Sequence, residues 1–171
     1  MVSRSSSEQD EQGVYGTRRI GVISDTHGLM RPQALIALKG SEIILHAGDI
    51  GKPEILDHLR QVAPIVIAIR GNIDSDAWAE KIPEREVFSV GAISFYMLHD
   101  VKELNPNVVT ENIRVVISGH SHQPSIHEKD GVLFLNPRSA GPRRFKLPVT
   151  VASLLIKGTE VKVNLIELAL N

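Results

Sequence analysis

Side chains that bind divalent metals stand directly after five apolar runs of the sequence. Carboxylates, a carboxamide and imidazoles suit Mn(II), Fe, Ni(II), Co(II) or Zn(II), and the lack of cysteine excludes a thiolate site. Seven donor residues exceed the need of one ion with an open position, but they suit two ions about 3.5 to 4 Å apart that share a carboxylate. The candidate ligands are Asp25, His27, Asp49, Asn72, His99, His120 and His122.

Asp49 is the expected bridging ligand. It stands alone on its loop, whereas Asp25 and His27, and likewise His120 and His122, form pairs two residues apart. On an extended backbone such residues point to the same side, so each pair can share one ion. Taken singly, each pattern is an ordinary turn or a structural histidine. Together, and with glycine directly before three of the donors, they indicate one dinuclear site.

The charge of such a site indicates the class of substrate. Two divalent ions, two carboxylates and a bridging hydroxide leave about one positive charge, which matches a phosphodiester anion. The ions would lower the pKa of a bound water to about 7 and stabilise the charge that builds up in an in-line displacement. We therefore predict hydrolysis of small phosphodiesters by a metal-bridging hydroxide.

Composition favours a small-molecule substrate and a single domain. The 171 residues are 42% hydrophobic and carry a net charge of -1, which provides no basic surface for a long nucleic acid. Residues 1–18 are polar and are expected to form a flexible tail before a single domain at 19–171. No apolar run approaches the ~20 residues of a membrane span, so we expect a cytoplasmic protein with no membrane partner.

A regular alternation of elements precedes the first three groups of donors. Between residues 19 and 69, short apolar runs alternate with two helical patterns, which predicts a βαβαβ unit with a parallel sheet. The second half favours hairpins around Gly91, Asp130-Gly131 and Gly158. Together the halves predict an α/β fold of two stacked sheets with helices outside. Loops at the carboxyl ends of parallel strands converge in such folds, so the donors can meet there.

The order of the motifs D-x-H, G-D, G-N-x-D, a single H and G-H-x-H resembles that of the calcineurin-like metallophosphoesterases. The short length, "RGNID" and "NPRSAGPRR" are similar to the small bacterial and archaeal phosphodiesterase branch. This resemblance implies a four-layer αββα sandwich of two mixed β-sheets flanked by helices, and manganese as the first choice of metal. It implies two metal sets that share a bridge: Asp25, His27, Asp49 and His122, and Asp49, Asn72, His99 and His120.

Three positions depart from the pattern of that family. Ile73 stands where many members have a histidine that protonates the leaving group, so we expect a preference for esters with acidic leaving groups. Asp100 replaces a glycine after His99 and is expected to hydrogen-bond a ligand imidazole or to crowd the second metal. Arg138 replaces the glycine of N-P-G-S and either faces the substrate phosphate or is a solvated loop arginine.

The resemblance also suggests supporting residues. Asn72 is assigned to a substrate or supporting contact in addition to its place in the second metal set. Arg143, with Arg144 as the second choice, is assigned to a substrate contact because their loop lies beside the site in relatives. Asp74 either supports the asparagine loop and the ions or caps a helix in "DSDAW". The remaining histidines are expected to take no part in the chemistry: His46 as a partly buried strand residue with a hydrogen-bond partner, His58 as an exposed helix residue and His127 as a structural residue.

Two alternative functions share these motifs. A phosphomonoesterase or nucleotidase would use the same site and is separated by comparing monoesters with diesters. A weakly active or non-catalytic protein-binding module, like the retromer subunit of this superfamily, would keep the fold without turnover. Every ligand position is filled here, which favours an enzyme. An exposed strand edge would also allow a homo-oligomer.

Overall fold

The computed structural model describes residues 16–109 and 112–171. Most of the predicted flexible tail, residues 1–18, lies outside the described residues, and the first strand already begins at Arg18. In chain order the elements are β1 (Arg18–Ile23), α1 (Pro32–Leu38), β2 (Ile43–His46), α2 (Glu54–Arg60), β3 (Ile65–Ala68), β4 (Arg85–Val90), β5 (Ile93–Leu98), β6 (Ile113–Ile117), β7 (Ser125–Lys129), β8 (Val132–Asn136), β9 (Thr150–Lys157) and β10 (Glu160–Glu167).

The first sheet is built around the predicted βαβαβ unit and has the strand order β10-β9-β1-β2-β3. Strands β1, β2 and β3 are parallel, whereas β9 runs antiparallel to both β1 and β10. All four residues of β2 are buried, as expected for a strand that is covered on both faces. Strand β10 alternates between exposed and half-buried residues along most of its length, because it forms an edge of the sheet.

The second sheet has the strand order β4-β5-β6-β8-β7. Strands β5, β6 and β8 are parallel, and β4 and β7 are antiparallel edge strands. All three predicted hairpins are present, between β4 and β5, between β7 and β8, and between β9 and β10. In the second of them Asp130 and Gly131 both have positive φ, the conformation that a two-residue type I′ turn requires.

The main core lies between the two sheets, where apolar residues such as Val22 and Phe95 form one buried cluster. Helices α1 and α2 pack on the outer face of the first sheet through residues such as Leu38 and Leu59, each worth about 1.5–3 kcal/mol when fully buried. The outer face of the second sheet is covered by the segment that includes Leu104. The predicted sandwich of two mixed sheets is confirmed, and its helices are few and short.

Across the described residues, none of the helices combines the length and the hydrophobicity that a bilayer crossing demands.

Candidate metal centre

The seven predicted donor residues all lie on loops that follow parallel strands: β1, β2 and β3 of the first sheet, and β5 and β6 of the second. Backbone hydrogen bonds join these loops within and between the sheets. The Asp25 N–H donates to the Gly48 carbonyl at 3.0 Å, and the Gly119 N–H donates to the His99 carbonyl at 3.0 Å. Because the strands end at the same edge of the sandwich, loops that are far apart in the chain meet there.

Asp25 is fully buried, and its two carboxylate oxygens have different surroundings. Oδ2 accepts hydrogen bonds from the Ser24 hydroxyl at 2.6 Å and from the His120 backbone N–H at 3.1 Å. Oδ1 has no hydrogen-bond partner among the described residues, and it lies 3.9 Å from His27 Nε2 and 3.6 Å from His122 Nε2. A buried anionic oxygen that faces imidazole nitrogens without bonding to them suits a shared cation. Sequence analysis missed the supporting role of Ser24.

Asp49 stands between the two predicted metal sets. Its Oδ1 accepts a hydrogen bond from the Ile73 backbone N–H at 3.1 Å, while Oδ2 lies 3.8 Å from His27 Nε2 and 3.3 Å from His99 Nε2. One oxygen thus faces a histidine of each set, as a bridging ligand must. Burial acts to raise the pKa of the Asp49 carboxyl, but the close approach and charge of His99 outweigh it and hold that pKa below its usual value.

His99 is oriented by the backbone. Its Nδ1 lies 2.7 Å from the Ala47 carbonyl oxygen, which places the ring proton on Nδ1 and turns Nε2 toward the carboxylates. Burial acts to lower the pKa of His99, but the close approach of Asp49, the hydrogen bond to the Ala47 carbonyl and the charge of Asp25 raise this pKa above its usual value. The raised pKa concerns the second ring proton, which binds at Nε2. A cation at Nε2 would replace that proton, so metal binding and protonation compete there.

The second set also contains an amide oxygen. Asn72 Oδ1 lies 3.2 Å from His120 Nδ1, and the rings of His120 and His99 meet edge to face with centroids 5.1 Å apart. Within each set, three residues offer ligand atoms that all lie within 4.8 Å of one another. These sets are Asp25, His27 and His122, and Asp49, His99 and His120.

Buried polar atoms without partners gather at this centre. Among the described residues there are five such side-chain atoms, and four belong to the predicted ligands: Asp25 Oδ1, His27 Nε2, His99 Nε2 and His122 Nδ1. Leaving a buried polar group unbonded costs about 1–3 kcal/mol, so a cluster of them calls for a ligand that satisfies several at once. The nitrogen and oxygen donors present here fit divalent cations.

The backbone at the ligands differs from the prediction. Five of the seven donors have φ between 47° and 65°, the left-handed region, rather than an extended conformation: Asp25, His27, Asp49, His120 and His122. This conformation costs a non-glycine residue roughly 1–2 kcal/mol, and such strain concentrates at functional sites. The expectation that the pairs converge because they lie on extended backbone is therefore wrong. Their side chains converge from tight turns.

Two of the glycines that precede donors allow close approach of the loops. A Cβ on Gly71 would collide with the Asp49 carboxylate, and a Cβ on Gly119 would collide with the Ser24 hydroxyl. Any larger residue at either position would push a ligand loop away from its neighbour. Glycine is thus needed at these positions for the close approach that the sequence predicted.

Asp74 ties two ligand loops together. It is 3% exposed, its Oδ1 accepts from the Gly51 N–H at 2.8 Å, and its Oδ2 accepts from the N–H groups of Ile50 and Gly71 at 3.0 and 2.8 Å. The carboxylate therefore holds the loop after β2 against the loop after β3. The alternative, a helix cap, is wrong, because the next helical turn begins only at Ala77.

The other histidines have the structural surroundings that were predicted. His46 is fully buried, with its Nε2 at 2.9 Å from Thr26 Oγ1, and burial lowers the pKa of His46 to about 3. Its imidazole is therefore neutral at physiological pH. His58 is exposed on α2, and His127 stacks on a phenylalanine of the adjacent strand with ring centroids 5.0 Å apart.

Asp100 lies beside the second set and faces His120. Its Oδ2 is 3.7 Å from His120 Nε2, while its Oδ1 accepts a hydrogen bond from the Lys102 backbone N–H at 3.0 Å. His120 Nδ1 is turned toward Asn72, so Asp100 lies beside the other ring nitrogen of His120, Nε2. A carboxylate in that place orients a ligand histidine and increases its basicity.

We expect Asp100→Asn to weaken the binding of one of two divalent ions about 10- to 100-fold, the usual effect of losing the partner behind a ligand histidine. Calorimetric titration of metal-free protein with Mn²⁺ measures both binding steps. Asp57→Asn, which changes an exposed carboxylate on α2, is the matched control. Identical titrations of Asp100→Asn and the control would show that Asp100 has no part in the centre.

Three arginines lie beside His122. Arg138 is 6% exposed, so its interpretation as a solvated loop arginine is wrong. Arg143 and Arg144 are exposed, and all three line a small cavity with His122. Burial lowers the pKa of His122, Asp25 opposes this, and the positive charge of Arg144 lowers that pKa further. Of the two exposed arginines, Arg144 is therefore the one whose charge acts on His122. Arg143 was the first choice from the sequence.

A cavity of about 390 Å³ opens beside the second set, in the size range of small-ligand sites. The two arginines that line it are paired with glutamates, at 3.0 Å for Arg70–Glu84 and 3.6 Å for Arg85–Glu103. Sequence analysis missed Arg70, although its position directly before Gly-Asn was an available signal. The donor residues that line this cavity are Asn72, His99 and His120.

Comparisons with known proteins point to one family. A family model described as the calcineurin-like phosphoesterase superfamily domain matches residues 19–159. A probable metallophosphoesterase of Methanothermobacter thermautotrophicus is 35% identical over 161 residues, covering 86% of this chain and 91% of that protein.

Two solved structures share the fold. A novel archaeal phosphodiesterase has a TM-score of 0.72 and 22% identity, with 86% of this chain and 99% of that chain covered. Vps29 from Entamoeba histolytica, complexed with Zn²⁺, has a TM-score of 0.66 and 22% identity, with 87% and 98% covered.

Proposed function

This chain belongs to the calcineurin-like phosphoesterase superfamily, and from that membership we propose that it is a phosphodiesterase that depends on two divalent cations. The observation that carries the proposal is the approach of one oxygen of Asp25 and one oxygen of Asp49 to imidazole nitrogens of three histidines at 3.3 to 3.9 Å. These atoms are buried or nearly so, and four buried atoms of the ligand set lack a hydrogen-bond partner among the described residues.

The two cations, with manganese as the first choice, would be held by the sets that the family resemblance implies. When bound, they would supply Lewis acidity and a nucleophilic water at neutral pH. The chain itself fixes the ligands: Ala47 sets the tautomer of His99, Ser24 and the His120 N–H hold one oxygen of Asp25, and Asp74 locks the loops. Such preorganisation lets the donors bind without rearrangement.

Charge and space favour a diester of small alcohols as substrate. The residual charge of the loaded site, about one positive unit, matches one phosphodiester anion better than a dianionic monoester. The cavity of about 390 Å³ beside Asn72 and His120 has room for a small ester substituent. Its arginine–glutamate pairs leave little unpaired positive charge for a long polyanion.

The test combines metal analysis with turnover. Metal content by mass spectrometry is expected to reach two ions per chain after loading with Mn²⁺, and hydrolysis of bis(para-nitrophenyl) phosphate is expected to need both. The monoester para-nitrophenyl phosphate, with the same leaving group, is expected to react more slowly. Faster monoester hydrolysis would favour a phosphomonoesterase, and two bound ions without any hydrolysis would favour a non-catalytic binding module.

A further inference from the structure

A buried arginine stands beside the first set of donors. Arg138 is 6% exposed and has a φ of 72°, a left-handed conformation that favours glycine. Its backbone N–H donates to Asn136 Oδ1 at 2.9 Å. Its guanidinium, by contrast, forms no hydrogen bond or ion pair with any of residues 16–109 and 112–171. Its guanidinium nitrogens are not among the described buried atoms without a partner, so the small exposed part of Arg138 is its charged end. This end has donors free for an acceptor that comes from solvent, and the left-handed backbone that places it is strained for a non-glycine residue.

A second group without a partner lies in the same place. His122 turns Nε2 toward Asp25 Oδ1, at 3.6 Å, whereas its Nδ1 is buried and lacks a hydrogen-bond partner within the described part of the chain. When Nε2 serves as a metal ligand, the ring proton resides on Nδ1, which then donates. Ligand histidines normally give that proton to an acceptor behind them.

Arg138 and His122 both line one small cavity of about 10 Å³, which has room for about one oxygen-sized atom. Arg143 and Arg144 also line it, and no carboxylate does. Because both of these arginines are exposed, the cavity is open to solvent at its rim. An imidazole's two nitrogens point away from each other, so an atom bonded to His122 Nδ1 lies on the far side of the ring from Asp25.

We propose that this cavity is an anion subsite, in which one oxygen of a second phosphate or carboxylate of the substrate accepts hydrogen bonds from Arg138 and His122 Nδ1. The proposal rests on the proposed phosphodiesterase function, and it names the substrate class: diesters with an additional oxyanion outside the reacting phosphoryl group. A guanidinium suits such an oxyanion because its donors form a planar fork. Arg144 adds positive charge at the entrance.

Binding of inorganic phosphate to metal-free protein, measured by calorimetry, tests the subsite without turnover. Arg138→Gly is expected to weaken this binding about 10- to 100-fold, the range for losing a hydrogen bond to a charged group. Glycine adopts the φ of 72° without strain, so this variant should fold, and Arg138→Lys should restore part of the affinity. Arg60→Ala, on the exposed face of α2, is the matched control and should bind phosphate like the wild type.

Chloride and acetate serve as comparison ligands. Acetate is expected to bind, since it is an oxyanion, and chloride is expected to bind more weakly than phosphate. Chloride binding as tight as phosphate binding, or equal phosphate affinities of the wild type and Arg138→Gly, would overturn the proposal.

Turnover separates a failure of the subsite from a failure of the phosphodiesterase function. Two diesters share the para-nitrophenyl leaving group: one has a neutral ethyl substituent, and the other has a second alcohol that ends in a phosphate. The wild type is expected to have a KM about tenfold or more lower for the anionic ester, and Arg138→Gly is expected to remove that difference. Hydrolysis of both esters with equal KM would reject the subsite alone. If neither ester reacts, the phosphodiesterase function fails, and the phosphate titration still decides on the subsite.

Discussion

Asp49→Ala is expected to reduce turnover of an aryl phosphodiester about a thousandfold or more, because the Lewis acidity of a metal pair is worth several kcal/mol in the transition state. Its Oδ2 is the atom that approaches both His27 and His99, at 3.8 and 3.3 Å. Without that oxygen each cation loses a ligand at once. Metal content measured by mass spectrometry should therefore fall from two ions per chain to one or fewer.

Asp76→Ala is the matched control for this substitution. Asp76 is exposed, lies on the loop after β3, and its side chain makes no capping hydrogen bond. A thermal melt of metal-free Asp49→Ala shows whether the variant is folded, since the substitution also removes the acceptor of the Ile73 N–H. If a folded Asp49→Ala protein keeps both its metal content and its turnover, the centre described here is not the site of reaction.

The wild type is expected to hydrolyse aryl phosphodiesters about 10²- to 10⁴-fold faster than alkyl ones beyond what substrate reactivity explains, because it lacks a general acid at position 73. Ile73 is 42% exposed, and its hydrocarbon side chain cannot donate a proton. An alkoxide leaving group needs that proton, whereas a nitrophenolate departs without it. Rates on bis(para-nitrophenyl) phosphate and on diethyl phosphate with the same metal, each compared with the uncatalysed rate, measure the difference.

Ile73→His is expected to accelerate the alkyl ester selectively, by up to the same factor, and to leave the aryl ester nearly unchanged. The contact of Ile73 with the centre is its backbone N–H, which a histidine retains. Ile73→Gln is the matched control, because it is polar but has no titratable proton near neutral pH. Equal wild-type rates on aryl and alkyl diesters of matched intrinsic reactivity would contradict the expectation.

The secondary structure followed from local patterns. The apolar runs of β1, β2 and β3 and the turn residues Asp130-Gly131 and Gly158 predicted their elements, because strand burial and positive φ leave a direct signature in residue type. The few, short helices and the segment that covers the second sheet were not foreseen. Which segment covers the second sheet depends on tertiary packing, and the local periodicity of hydrophobic residues carries no information about that packing.

The types and order of the candidate metal donors were likewise determined by the sequence, since loops at the ends of parallel strands must share an edge. The tertiary structure alone decided how these donors are used. It assigned one oxygen of Asp25 to Ser24 and to the N–H of His120, 95 residues away, and left the other free for the centre. It also decided that Asp74 is a clamp and that Arg138 is buried. The physical reason is the same throughout: burial and hydrogen bonding are set by neighbours distant in the chain, whereas residue type and spacing report only what a side chain is able to do.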